Sequence, residues 1–166
     1  MSGPSKLKPW HSAVIMLVLI GMTALNFWSL VGAAPEFGEL SPENVVLVKP
    51  IEVIDPAGQG SSSAWASVQA DALSGRIDNL CFLSDCNLPA ALATLRAGDN
   101  VQLWMRRDRI WQLAIGNSTL LSYDQARDAH QRAAWRRGLA LAAMLLAGVV
   151  VIAWMGARRG SRGLQS

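Results

Sequence analysis

YDQARDAHQRAAWRRGLALAAMLLAGVVVIAWMGARR, residues 123–159, decides the architecture of this chain. It contains no proline, and its first half sets polar and apolar residues at helical spacing, with Asp128 and Arg132 an i,i+4 pair. Residues 138–157 carry no charge, and Arg158 and Arg159 follow at once. About twenty apolar residues at ~1.5 Å per residue cross a hydrocarbon core of ~30 Å. The stretch therefore predicts one helix in two parts, a stalk over 123–137 and a transmembrane helix over 138–157, followed by a tail at 158–166.

A second uncharged run, SAVIMLVLIGMTALNFWSLVGAA at 12–34, follows a short N-terminal segment, 1–11. It predicts the other transmembrane helix, since it is also long enough to span. Trp10 and Trp28 lie toward the ends of the first run and Trp135 and Trp154 toward the ends of the second, where indoles meet lipid headgroups. A cleaved signal peptide is the competing reading, with Lys6 and Lys8 as its basic region and Gly32, Ala33 and Ala34 as small residues. The run is longer than a signal core, however, and Pro35 follows the best cleavage position. Asn26, with Thr23 one turn before it, is the strongly polar feature of the spans. It suits either a hydrogen bond to the other helix or contact with interfacial water.

Lys6, Lys8, Arg158, Arg159 and Arg162 place both termini in the cytoplasm, and a loop of this length is translocated largely regardless of charge. The hundred or so residues between the helices are thus expected outside, in a multi-pass topology. Arg127, Arg132, Arg136 and Arg137 oppose this orientation, and headgroup phosphates near Arg136 and Arg137 would accommodate them.

Composition agrees with membrane residence, because 51% of the 166 residues are hydrophobic and 16% charged, against about a quarter charged in soluble domains. All acidic residues fall between Glu36 and Asp128. Residues 35–132 hold twelve of them against eight Lys and Arg, a net charge of −4. The basic character of the chain resides in its flanks, so the middle has no basic excess for a nucleic acid.

Cys81 and Cys86, in CFLSDC, are the only cysteines. In an oxidising compartment they would close a short disulfide loop, worth about 2 kcal/mol in the chain-entropy treatment. The spacing is wrong for a C-x-x-C oxidoreductase. A zinc site lacks ligands, because the histidines are His11 and His130, each near a membrane boundary. No cofactor is implied.

Between linker residues 35–43 and the stalk, residues 44–122 predict a small β-rich domain. VVLVKPIEV (45–53) is strand-like but interrupted by Pro50, DPAGQGSSS (55–63) is a loop, and AWASVQA (64–70) alternates as a strand. The G-x-G in that loop has neither the rest of a dinucleotide fingerprint nor a helix after it. RIDNLCFL (76–83) is a third candidate strand and LPAALATL (88–95) a short helix with an apolar face to bury. RAGD turns into VQLWM (101–105), the tetrad RRDR makes a hairpin tip, and IWQLAI (110–115) and TLLS follow. The expectation is an α+β membrane protein in which two transmembrane helices flank a barrel-like domain of five to six strands and one short helix.

Arg106, Arg107 and Arg109 at the tip suit a lipid headgroup or an acidic partner as well as plain solvation. Trp65, Trp104 and Trp111 suit either a binding face or the core. No nucleophile and base constellation is visible, so no catalytic residue and no metal ligand is assigned.

GDNVQLWMRRDRIWQL (98–113) and LLSYDQARDAHQRA (120–133), leading into the second span, resemble a loose group of uncharacterised bacterial two-helix inner-membrane proteins. The resemblance covers roughly residues 98–157 and implies a bacterial inner membrane with a small periplasmic, barrel-like domain. It brings no catalytic residues. The expected function is non-enzymatic binding of a protein partner by the outer domain, as an envelope assembly accessory or a toxin-inhibiting immunity protein. The alternatives are a thiol-redox factor using Cys81 and Cys86, or an accessory subunit of a membrane transport complex, although neither span carries the intramembrane charge that marks a transport path.

Overall fold

The structure, a computed structural model, describes residues 20–22, 24, 34–58, 61 and 63–161, with side chains as far as Val151. Two compact units divide the chain, and the folded domain is Ala33–Ala134. After a 3-10 turn at Phe37–Glu39 it comprises β1 (Ser41–Val46), β2 (Glu52–Ile54), β3 (Trp65–Gln69) and β4 (Ser74–Ile77). Then come α1 (Cys81–Ser84), α2 (Ala90–Ala93), β5 (Asn100–Arg106), β6 (Arg109–Ile115), β7 (Ser118–Leu121) and α3 (Tyr123–Ser161).

The seven strands form one mixed sheet in the order β1-β5-β6-β4-β3-β2, with β7 on β6. All pairings are antiparallel except β4 with β6, which meet in parallel at Arg76 and Arg109. The architecture is α+β, but the expected barrel does not close and there are seven strands rather than five or six. Pro50 has no N–H for a ladder and ends the run after β1. The first and third strands then touch through one bridge, Leu47 to Ala70, flanked by Val48 N donating to Gln69 O at 2.9 Å and Asp71 N to Val46 O at 3.0 Å.

Three further expectations are corrected. Residues 76–83 do not form one strand: β4 stops at Ile77, Asn79 turns left-handed at φ 59°, and residues 81–84 are a helical turn. Asn tolerates that conformation because its short amide bonds locally. There are accordingly two short helices, not one. The second lies where LPAALATL predicts it and buries Leu92, with Leu95 buried just after it. β1 begins at Ser41, within the stretch read as linker, and pairs there with Met105.

Hairpin chemistry follows the sequence more closely. Gly116 takes φ +55° in the two-residue turn between β6 and β7, where a side chain would be strained. Gly75 serves close approach instead: a Cβ there would lie 2.6 Å from Met105 Cε and 3.1 Å from the Ile110 side chain.

The core gathers residues from every strand except β2, including Val45, Val68, Ile77, Leu103, Ile110, Leu113 and Leu121, with Leu80 and Leu92 from the helical turns. Two β-bulges shape it. Between β5 and β6 the register slips so that Trp104 faces Gln112 while Met105 faces Ile110, leaving Trp111 as the extra residue. A bulge resets the alternation of side chains. Ile110 and Leu113, three apart, can therefore both enter the core. Between β6 and β7 the same device leaves Leu120 as the extra residue.

Helix α3 starts at a reciprocal cap: Gln125 N donates to Ser122 Oγ at 3.3 Å, and Ser122 N donates to Gln125 Oε1 at 3.1 Å. This is the S-x-x-Q capping box, with Asp124 favourably placed in the first turn. Ser122→Ala is expected to cost about 1 kcal/mol of domain stability, read as a lowered urea midpoint. Ala129, Ala133 and Ala134 are buried on one side of the first turns, where small side chains permit close approach.

Farther along, α3 is apolar all round. Leu139, Met144, Leu146, Val150 and Val151 are exposed, and only 11% of its most apolar stretch is buried. Among the described residues it is the one helix long and apolar enough to cross a membrane. The other expected span, 12–34, lies outside the described residues apart from Ile20, Gly21, Met22 and Ala24, which are helical, and the Ala34 at its end.

Candidate functional site

Two features of the domain gather polar and apolar groups in ways that bear on function. The first is an open pocket of about 280 Å³. Phe82 and Leu83 of α1, Pro89 before α2, and Leu120 and Leu121 of β7 wall it, while Gln125 and Arg132 of α3 supply its polar side. The bulge at Leu120 sets successive leucines against one cavity. Gln125 is oriented by the capping box, which engages its carbonyl oxygen and leaves its amide N–H groups as donors. Arg132 is exposed, and its Nε reaches the Asp128 carbonyl at 3.4 Å. The expected ion pair between Asp128 and Arg132 is not among the ion pairs formed by the described residues.

The second feature is a charged clasp beneath α3. Asp78, whose side chain is only 15% exposed, lies between two guanidiniums, with Arg76 Nε 3.1 Å from Oδ1 and Arg109 Nε 2.5 Å from Oδ2. Neither Arg76 Nε nor Asp78 Oδ2 has a partner in hydrogen-bonding geometry, so the attraction is between charges rather than along aligned bonds. Arg76 also meets Asp108 at 3.3 Å. Arg109 Nη1 stands 3.2 Å from His130 Nδ1, and because arginine can only donate, that nitrogen is assigned as the acceptor.

Trp111 completes the clasp. The Arg109 guanidinium sits 5.5 Å from its ring centroid, and the His130 ring meets it edge-on at 5.4 Å. Tyr123 packs on it at 6.3 Å and donates its hydroxyl to Pro35 O at 2.5 Å. Charges and rings here join β4, β6 and the start of α3. Nothing in the sequence signalled that Asp78 and Arg109, thirty-one positions apart, would meet.

The arginines of the hairpin tip are dispersed. Arg109 turns into the clasp, Arg106 pairs with Glu39 at 2.7 Å, and Arg107, exposed, occupies the turn at φ +60°. Trp111 is 4% exposed and belongs to the interior, whereas Trp65 and Trp104 are half-buried, so no tryptophan face forms. Trp135, Arg136 and Arg137 are exposed on α3, which also includes Trp154. Trp10, Asn26 and Trp28 lie outside the described residues.

Cys81 and Cys86 stand at disulfide distance and enclose Phe82 and Leu83 of the pocket wall. Asp85 and Cys86 both take left-handed backbone, at φ 45° and 68°, which costs a residue with a Cβ about 1 kcal/mol or more. Cys81 Sγ lies 2.8 Å from Ser61 O, and Ser61 is in turn held by the Asp55 carboxylate through its N–H and its hydroxyl. The joint replacement Cys81→Ser and Cys86→Ser is expected to lower stability by about 2 kcal/mol in denaturant unfolding, and no loss would show that the bond is absent or idle.

No protein-family model, no curated protein and no solved structure matches this chain.

Proposed function

We propose that this is a non-enzymatic protein of a bacterial inner membrane, anchored by two helices with both termini cytoplasmic, whose periplasmic domain binds a protein partner. The observation that supports the reading is the open pocket walled by Phe82, Leu83, Pro89, Leu120 and Leu121, with Gln125 and Arg132 on its polar side, on a domain ending in an apolar helix. The charged clasp supports it too, because Asp78, Arg109 and His130 are engaged in joining β4, β6 and α3. Partners in keeping with this reading are an envelope assembly complex or a toxin held inactive.

The test is chemical cross-linking of the full chain in its native membrane, followed by purification in detergent. A stoichiometric protein partner is expected, and its consistent absence would sink the reading. Alkaline phosphatase fused within the 55–63 loop should be active and fused after Ser166 inactive. The reverse pattern would overturn the topology.

One observation favours a second reading, a thiol-redox factor: left-handed backbone at Asp85 and Cys86 raises the energy of the closed loop. Trapping by alkylation in cells separates the two. A uniformly oxidised pair fits a structural bond, and a mixed population fits catalysis.

A further inference from the structure

We infer that His130 makes the docking of α3 on β6 sensitive to pH: the neutral ring holds the first turns of the helix to the sheet, and its protonation loosens them. The inference does not depend on what the domain binds. Its geometry is Nδ1 of His130 at 3.2 Å from Nη1 of Arg109. A guanidinium has donors and no acceptor, so this bond exists only while Nδ1 carries no proton. Protonation turns it into a donor facing a donor, with two cations in contact.

The surroundings offer an imidazolium little in return. On β6 the charge it meets is Arg109, and Trp111, 4% exposed, takes the ring edge-on. Beyond Arg109 lies Asp78, already paired with both Arg109 and Arg76, and Arg76 in turn meets Asp108. Two guanidiniums and two carboxylates balance there while the ring is neutral, and a third cation leaves an excess of positive charge. On α3 itself Arg127 stands one turn before His130, and the Tyr123 hydroxyl is bonded to Pro35 O. Because His130 is half-buried, solvent ions screen this repulsion less than they would at the surface. Trp111 touches both Tyr123 and His130, so the repulsion acts where β6 meets the helix. The contact contributes stability above the ordinary imidazole range, near pH ~6.5, and loses it as the pH falls through that range.

The experiment uses the full chain in detergent, compared at about pH 7.5 and about pH 5.5, on either side of the imidazole range. Amide hydrogen exchange, corrected for the intrinsic effect of pH, should rise roughly tenfold over 123–134 at the lower pH and stay level in β3. His130→Gln keeps an acceptor in its side-chain carbonyl and cannot become charged, so this variant should show no such rise. His11→Gln removes the other histidine of the chain and should behave as the parent does. Nitrogen-15 NMR of the histidine-labelled parent chain reads the tautomer directly. At the higher pH His130 should be neutral with its proton on Nε2. If His130→Gln does not fold, the parent chain's exchange pattern and tautomer decide. No rise over 123–134, an equal rise in β3, a rise that persists in His130→Gln or vanishes in His11→Gln, or a proton on Nδ1 at the higher pH overturns the inference.

Discussion

Trp111→Ala is expected to destabilise the domain by about 3–5 kcal/mol, the usual range for deleting a buried tryptophan. The residue is 4% exposed and is the extra residue of the bulge between β5 and β6, which sets it against Tyr123 and His130 of α3. Removing the indole opens a cavity and strips the Arg109 guanidinium of its ring face. For a domain of about a hundred residues each kcal/mol corresponds to roughly 4–8 °C, so the shift in thermal unfolding is large. Near-ultraviolet circular dichroism of the full chain in detergent reads it. Trp111→Phe should recover more than half, since a ring survives. A loss under about 1 kcal/mol for the alanine variant would mean that the first turns of α3 are docked by something else.

Asp78→Ala should cost about 2–4 kcal/mol, somewhat less than for a fully buried pair, because the Arg76 side chain keeps 40% exposure and water can screen it. The damage comes from what is left behind. Arg109 would lose its carboxylate partner, and Arg76 would keep only Asp108. The joint replacement Asp78→Leu and Arg109→Met should therefore be milder than Asp78→Ala alone, because it removes a buried charge along with its partner. Urea unfolding of the three chains decides the matter. Should the double variant prove less stable than Asp78→Ala, the clasp would be contributing net stability rather than specifying how β4, β6 and α3 meet.

Some of the pocket was within reach of the sequence. S-x-x-Q at 122–125 is a readable capping box, and it orients Gln125. Leu120 and Leu121 read as strand residues, but the register slip that turns both toward one cavity depends on how β6 and β7 pair. The run at 76–83 misled because its apolar residues suit a strand, while the left-handed turn at Asn79 and the closed cysteine loop impose a helical turn. Arg109 read as one of three arginines at a tip, and its inward direction required Asp78 and His130 from other elements.

Segmental properties were decided locally. The continuous helix from Tyr123, its change from amphipathic to wholly apolar, the turn at Gly116 and the alternation in β5 all follow from residue types within a few positions of one another. The strand order of the open sheet, the parallel contact of β4 with β6, the bulge at Trp111 and the clasp were decided only by assembly. Their energies belong to pairs of residues far apart in the chain, and short-range periodicity carries no record of which distant surfaces fit.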